Sequence, residues 1–455
     1  MAPRKSHSLA WPIAVALVGV LTGIAQAQGA PWESEKGYAN GIPIGTKITQ
    51  ANWQQYQQFM TEGMKTVFAG THFWHMPRDI EIDVGPTRSI PVPRPYMEDT
   101  EKYGGQVTLQ VLPDGGYAPK GYVAGFPFLD PFENDAALVG ERVFWNTFYR
   151  PSARVEEAPN CSYVLDPYGN YTHSVDFDAV LSRLMHLSEP GFPRDEANAG
   201  GYWFAGYTEV SAPEQFRYFA TLTLSPNDPT QLDEAYIYYP ALRRSLRVSS
   251  SARCAPIYGT DFTIEDALEG PPRQGQLFKK EFLGTKKILT LLHAASESYT
   301  CNTSIQLDTR YYYPGSKGVA PFPNPGSGQW EVRDVYVVNL TRLPRSSAGF
   351  GCYGKRVLYL DRQTYFPVST DLWDTEGGLF KWLFVVERPA FIPGLGLDGQ
   401  LLTISGNNTA YVVDFQDKHI TIVVGLHVCV DRECAKTYMN ISRYASPEGL
   451  MKIQQ

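Results

Sequence analysis

Apolar side chains recur at every second residue along much of this chain, and that period admits few folds. Between Gln106 and Leu112, Val107, Leu109 and Val111 fall on one side and Gln106, Thr108 and Gln110 on the other. Phe216, Tyr218, Ala220, Leu222 and Leu224 repeat the pattern, as do Trp330, Val332, Tyr336, Val338 and Leu340. Successive side chains of a strand point to opposite faces, so this alternation predicts half-buried strands. Strand-like runs also lie at 141–149, 234–248, 278–292, 301–313, 355–373, 379–387, 409–414 and 418–428. Turns such as Asp114-Gly115-Gly116 and Thr375-Glu376-Gly377-Gly378 join neighbouring runs, which suits antiparallel pairing and not parallel crossovers. The 40 Gly, 34 Pro and 28 Tyr among 455 residues agree, because Gly and Pro interrupt helices while Tyr fits a pleated, half-buried surface.

Helices are few in this reading. Trp53, Tyr56, Met60, Met64 and Val67 recur at steps of three and four and predict a helical face from residue 50 onwards. Further helical pieces are expected at Phe177 to Leu187, Ile264 to Leu268 and 433–443. The Pro/Gly stretch 314–328 reads as a long loop inside one domain, since strands of matching character flank it. The expected organisation is a signal peptide over 1–27, a helical and Pro-rich N-terminal extension over 28–100, and one large antiparallel β domain over 101–455.

Arg4 and Lys5 precede an apolar run from Leu9 to Ile24 that ends in Ala25-Gln26-Ala27, which is the order of a secretory signal peptide cleaved after Ala27. Pro12 and Gly19 interrupt that run, which argues against an uncleaved anchor. No Cys stands at the cleavage site to take a lipid, so the expectation is an exported, soluble protein without a lipid anchor. Cys161, Cys254, Cys301, Cys352, Cys429 and Cys434 make an even count, which in an exported chain reads as disulfides, with Cys429 and Cys434 the nearest pair. Buried free thiols are the alternative for the other four. A second close pair at ligand spacing is lacking, which disfavours structural zinc.

The search for chemistry returns little. A net charge of −7 with 19% charged residues lacks the basic surplus that concentrates nucleic acid. Gly349 to Lys355 has the spacing of a phosphate loop, but Arg356 replaces the metal-binding Ser or Thr and a strand-like run follows, so a Gly-rich turn is expected. His72 and His75 lack an accompanying carboxylate at ligand spacing and read as surface or packing residues. There is no G-x-S-x-G turn for a serine nucleophile, while paired carboxylates for hydrolysis leave no fixed spacing to find. The chain is expected to be non-catalytic, without cofactor or metal. Sequons such as Asn302-Thr303-Ser304 and Asn407-Asn408-Thr409 matter only for a eukaryotic export route.

Several runs carry a family likeness: Ile82 to Thr87, Glu101 to Val107, Gly121 to Pro127, Tyr239 to Arg247, Gly259 to Thr263, Trp330 to Val337 and Tyr353 to Asp361. In that order they resemble the bacterial domain of unknown function 1329 family over roughly residues 40 to 430, a family loosely related to outer-membrane lipoprotein-sorting proteins. The resemblance implies a Gram-negative periplasmic protein of mainly β (α+β) class. Its expected fold is similar to the lipoprotein carriers (LolA/LolB-like), a large, strongly curved antiparallel sheet wrapped around a few helices with an apolar cavity. It further implies a carrier or adaptor for lipid or another hydrophobic small molecule. The expected partners are a resistance-nodulation-division type exporter and an outer-membrane β-barrel protein. A non-catalytic assembly partner of an outer-membrane protein and a periplasmic hydrolase are the alternatives. No functional residue is carried over from the family.

For a carrier, Arg244 is the candidate of interest, with Tyr236, Tyr238 and Trp382 as further ligand contacts. Alternation places Arg244 on one strand face with Leu242, Leu246 and Val248, where a buried charge needs a partner. Either Asp261 or Glu265 of the protein, or the acidic head of a bound lipid, fits that need.

Overall fold

The computed structural model describes residues 36–453 apart from 134, 229–230, 249–253, 264, 267–274, 296–317, 324, 345–350, 392–399, 402–408, 426–428 and 431. The signal-peptide segment, the 301–313 run, the cores of both sequons and most of Ile264 to Leu268 lie outside the described residues.

Thirteen strands form the main sheet, numbered here along the chain. The first six are β1 (Val155–Leu165), β2 (Tyr171–Arg183), β3 (Tyr202–Ala212), β4 (Ala220–Pro226), β5 (Glu234–Tyr239) and β6 (Arg244–Arg247). The other seven are β7 (Phe278–Thr290), β8 (Glu331–Arg342), β9 (Lys355–Asp361), β10 (Pro367–Trp373), β11 (Leu379–Val386), β12 (Thr409–Asp414) and β13 (Ile420–Gly425). Their spatial order is β6-β5-β4-β3-β2-β1-β13-β12-β11-β10-β9-β8-β7, all antiparallel. Two meanders therefore meet at the β1–β13 pair, and the sheet curls without closing, its edges being β6 and β7. The edge β7 carries exposed Lys279, Glu281 and Lys287 and a bulge at Phe282/Gly284, with Gly284 at φ 116°, features that discourage a further strand from pairing there.

Both faces of the second meander are covered. Val357, Tyr359, Trp382, Phe384, Tyr411 and Val413 point to a face filled by residues 36–100, including α1 (Glu62–Ala69). The intervening residues, among them Leu358, Leu360 and Val338, meet Val143, Phe144 and Trp145 of α3 (Val139–Phe148), which follows α2 (Arg94–Tyr103) in the chain. Residues 36–100 thus supply one side of the main core. The first meander is covered by α4 (Arg432–Tyr438), α5 (Ile441–Tyr444) and α6 (Pro447–Leu450), whose Cys434, Ala445 and Leu450 pack with Tyr207, Leu222 and Tyr238.

The seating of α1 shows how these layers are fixed. The N–H groups ahead of Lys65 in its first turn have no partner within the helix. Asp371 on β10 accepts from Glu62 N and Gly63 N, each at 2.9 Å, while Thr61 Oγ1 takes Met64 N at 3.3 Å and Thr61 O takes Lys65 N at 3.0 Å. Gly63 is required because a Cβ there would lie 2.1 Å from the Trp382 ring. Asp371 also accepts from Tyr359 Oη at 2.9 Å, and burial pushes its carboxyl up to about 6 in spite of these donors.

Several local expectations are corrected. The 141–149 run is helix α3, not a strand, because every residue from Val139 to Thr147 is buried and the apolar run reflects a helix covered on all sides. Phe177 to Leu187 is mostly the strand β2, not a helix: Val180 and Leu181 are both buried on opposite faces, which erases the strand period. The single helix expected from residue 50 is a 3-10 turn, Trp53–Phe59, followed by α1, although Trp53, Met60, Met64 and Val67 are all buried. Strand β4 begins only at Ala220, since Tyr218 turns at φ 68° and Phe216 is exposed. The 234–248 run is broken by a 3-10 turn, Pro240–Leu242. Lys355 opens strand β9, in keeping with the Gly-rich turn and against a phosphate loop.

Candidate functional site

None of the four expected ligand contacts lines a common space. Arg244 begins edge strand β6 and is exposed, because the turn at Pro240–Leu242, with Arg243 at φ 49°, breaks the alternation that placed it on an apolar face. The need for a buried partner disappears with that exposure: Asp261 bonds Thr421 and Glu265 pairs with Arg356 instead. Tyr236 is half-buried and donates to Glu234 at 2.6 Å. Tyr238 is buried in the core beneath the C-terminal helices. Trp382 lies under α1, stacked on Phe384 at 4.3 Å and donating to Ser369 Oγ at 3.1 Å.

The cysteines fare better. Cys254 and Cys352 are joined with an S–S distance of 2.06 Å, Cys429 and Cys434 form the short bridge, and Cys161 is also disulfide-bonded. Cys301 lies outside the described residues. The Cys254–Cys352 bridge starts a strap, residues 254–266, that crosses both meanders. Along it Tyr258 O accepts from Ser174, Asp261 bonds Thr421, and Asp266 accepts from Tyr353 and Arg356. Among the described residues no group of three His, Cys, Asp or Glu could hold a metal, and no helix is long and apolar enough to cross a membrane.

A pocket does form elsewhere, between the ends of α2, α3, β2 and β3. The C-terminal end of α3 delivers Phe148, Tyr149 and Arg150. Strand β2 ends at Arg183, opposite Phe204 of β3, and its continuation brings His186, Ser188 and Glu189. Trp203 of β3 and Tyr96 of α2 complete the wall with Tyr122. The rings pack closely: Tyr122 to Tyr149 at 4.0 Å, Tyr122 to His186 at 4.8 Å, Phe148 to Trp203 at 5.1 Å and Tyr149 to Trp203 at 5.5 Å.

The polar groups of this wall are arranged asymmetrically. Tyr96 Oη donates to the carbonyl of Tyr149 and Tyr122 Oη to that of Gly125, so both hydroxyls are engaged by backbone. Burial pushes both phenols well above their ordinary range. His186 adopts φ 67° and is held by its N–H to Asp195 at 2.9 Å, while its ring nitrogens lie 2.9 Å from Val123 O and 2.6 Å from Asn227 Oδ1. Glu189 accepts from Arg154 N at 2.7 Å and pairs with its Nε at 3.4 Å, and burial raises its carboxyl above the usual range. Arg150 and Arg183 are both buried at the wall. The cavity is about 50 Å³ in this state, room for a few waters only.

The family model described as a protein of unknown function (DUF1329) matches residues 47–427, most of the chain and nearly all of the sheet just described. The chain belongs to this family. A DUF1329 family protein from Desulfovibrio piger is 14% identical, with 68% of this chain and 100% of that one covered and a TM-score of 0.45. A LolA superfamily protein from Nitrosomonas europaea is 11% identical, with 64% and 93% covered and a TM-score of 0.37. No curated protein matches the sequence. Sequence reasoning missed the pocket of this DUF1329 chain because its wall is drawn from separate segments. The available signal was the ring density of Phe148-Tyr149-Arg150 and Tyr202-Trp203-Phe204.

Proposed function

We propose that this protein is a periplasmic carrier for lipid-like hydrophobic molecules, loaded at the aromatic pocket. The supporting observation is the pocket's wall of Tyr96, Tyr122, Phe148, Tyr149 and Trp203, ring surface that suits an apolar guest. At about 50 Å³ the pocket is in a closed state, so loading displaces part of the wall. The segment around Tyr122 is the part to move, since Gly121 and Gly125 at φ 79° and 77° bracket it as hinges outside the main sheet. In this reading the guest passes between an inner-membrane exporter and an outer-membrane β-barrel protein.

The test is purification without detergent, organic extraction and mass spectrometry of what copurifies. A hydrophobic molecule held by the wild type and lost from Trp203→Ala supports the carrier. An empty extract, together with no uptake of an alkyl probe, sinks it.

A further inference from the structure

We infer that the end of the sheet carrying the β3–β4 and β5–β6 turns docks on an anionic lipid surface. The run from Tyr239 to Arg247 takes no part in the pocket, and its placement gives it a different use. Strand β4 begins at Ala220 opposite Tyr238 of β5, so the two turns lie side by side. Phe219 and Tyr239 join them, their rings 5.1 Å apart and nearly perpendicular. At the tips Phe216 is 48% exposed and Leu242 53%, with Tyr239 beside them at 41%. Single exposed apolar side chains are ordinary, but three large ones on two adjacent turns make a ridge.

The charges around this ridge decide what it meets. Arg217 pairs with Glu214 at 3.3 Å and Arg247 with Glu234 at 3.1 Å. Arg243 and Arg244 are exposed and have no ion-pair partner among the described residues. Arg243 follows Leu242 directly, and Arg244 opens β6 opposite Tyr239, on the same face as the exposed Leu246. Apolar tips next to unmatched guanidinium groups fit the boundary of a bilayer: rings and Leu enter the headgroup layer while each Arg keeps its charge among the phosphates. With a net charge of −7 the chain as a whole is repelled by an anionic surface, so the attraction is local to this ridge. Strand β6 is four residues long with Arg at both ends, which disfavours a partner protein that adds a strand to this edge. The pocket sits at the other end of β3, at Trp203, whereas the ridge follows Ala212, so the inference is independent of the carrier reading.

The test is sedimentation of the full-length chain with vesicles of phosphatidylglycerol and phosphatidylcholine in equal parts, or of phosphatidylcholine alone, with hydrogen exchange to locate the contact. The anionic vesicles should bind the chain and slow exchange over residues 239–247. Arg243→Gln combined with Arg244→Gln should weaken binding roughly twentyfold or more, about fivefold for each cation removed. Leu242→Ser should weaken it several-fold through the apolar contact alone. All three side chains are exposed, so the variants should keep the wild-type circular dichroism and melting temperature. Every variant retains the apolar N-terminal run, so a difference between proteins reports on the ridge. Salt at about 1 M, where the screening length is about 3 Å, should release the wild type. Equal binding to both kinds of vesicle, or by wild type and variants alike, overturns the inference. Protection of 239–247 by soluble polyglutamate but not by vesicles assigns the ridge to an acidic peptide and overturns the bilayer.

Discussion

The two meanders of the sheet are built from similar strands but buried differently. In β9 every residue after Lys355 is buried, and in β10 only Trp373 is not. In β5 and β6 a single residue, Tyr238, is buried. The cause is what lies above and below: residues 36–100 and α3 sandwich the second meander, whereas the far strands of the first have the C-terminal helices on one side. A strand covered twice loses its sequence alternation, and one covered once keeps it. Charged residues inherit the difference. Arg356 of β9 is buried against Asp266 at 2.9 Å and Glu265 at 3.3 Å, while Arg247 of β6 meets Glu234 at 3.1 Å with its side chain 63% exposed.

The contrast can be broken most strongly at Arg356. Arg356→Met leaves two buried carboxylates without it, and a loss of about 3–5 kcal/mol is expected in urea unfolding. A loss below about 1 kcal/mol would mean the 254–266 strap is not anchored there. Next comes Asp371→Ala, which orphans Glu62 N, Gly63 N and Tyr359 Oη. It should cost about 1–3 kcal/mol for the first donor left buried, with less for any donor that water reaches. Hydrogen exchange should show α1 opening before the sheet; uniform opening would contradict its role as a separately clasped cover.

A pH titration sharpens the same comparison. Burial raises Asp371 and Asp261 from 3.8 to about 6. The folded chain therefore holds protons that the unfolded chain releases between those values, so their contribution is complete below about 4 and lost as pH rises through about 6. Stability measured at pH 5 should exceed that at pH 7, and Asp371→Asn should flatten part of the slope; an unchanged slope refutes the assignment. The smallest effect belongs to Arg247→Met, where an exposed pair is lost and the change should stay within about 1 kcal/mol.

Legibility in the sequence followed the same divide. Turn chemistry and alternation were enough to read an antiparallel sheet, and Asp114-Gly115-Gly116 does turn between Thr108–Val111 and Tyr117–Lys120, with Gly115 at φ 84°. The failures fell where burial is complete: α3 read as a strand and β2 as a helix, because Phe144-Trp145 and Val180-Leu181 are apolar on all sides and carry no period. Arg244 failed for another reason, a turn at Pro240 inside an otherwise regular alternation. Of the pocket only the local ring density was legible, since contacts among Tyr96, Tyr122, Tyr149, His186 and Trp203 depend on how α2, α3, β2 and β3 end together.

The strand order has a consequence for how the sheet assembles. Counted from the gap between β6 and β7, it is an ordinary up-and-down ribbon whose neighbours are chain neighbours, except where residues 160–165 meet 420–425. Among the strand pairs of the main sheet, the entropy of closing a long loop is thus concentrated in this one seam. A break in the connection between β6 and β7 leaves every hairpin of the main sheet within one piece, and the two pieces meet along that seam and through the packing of residues 36–100 and α3 on the second meander and of α4 to α6 on the first. The molecule is suited to fragment complementation at this one place, with the recovery of the β1–β13 pair as its signal.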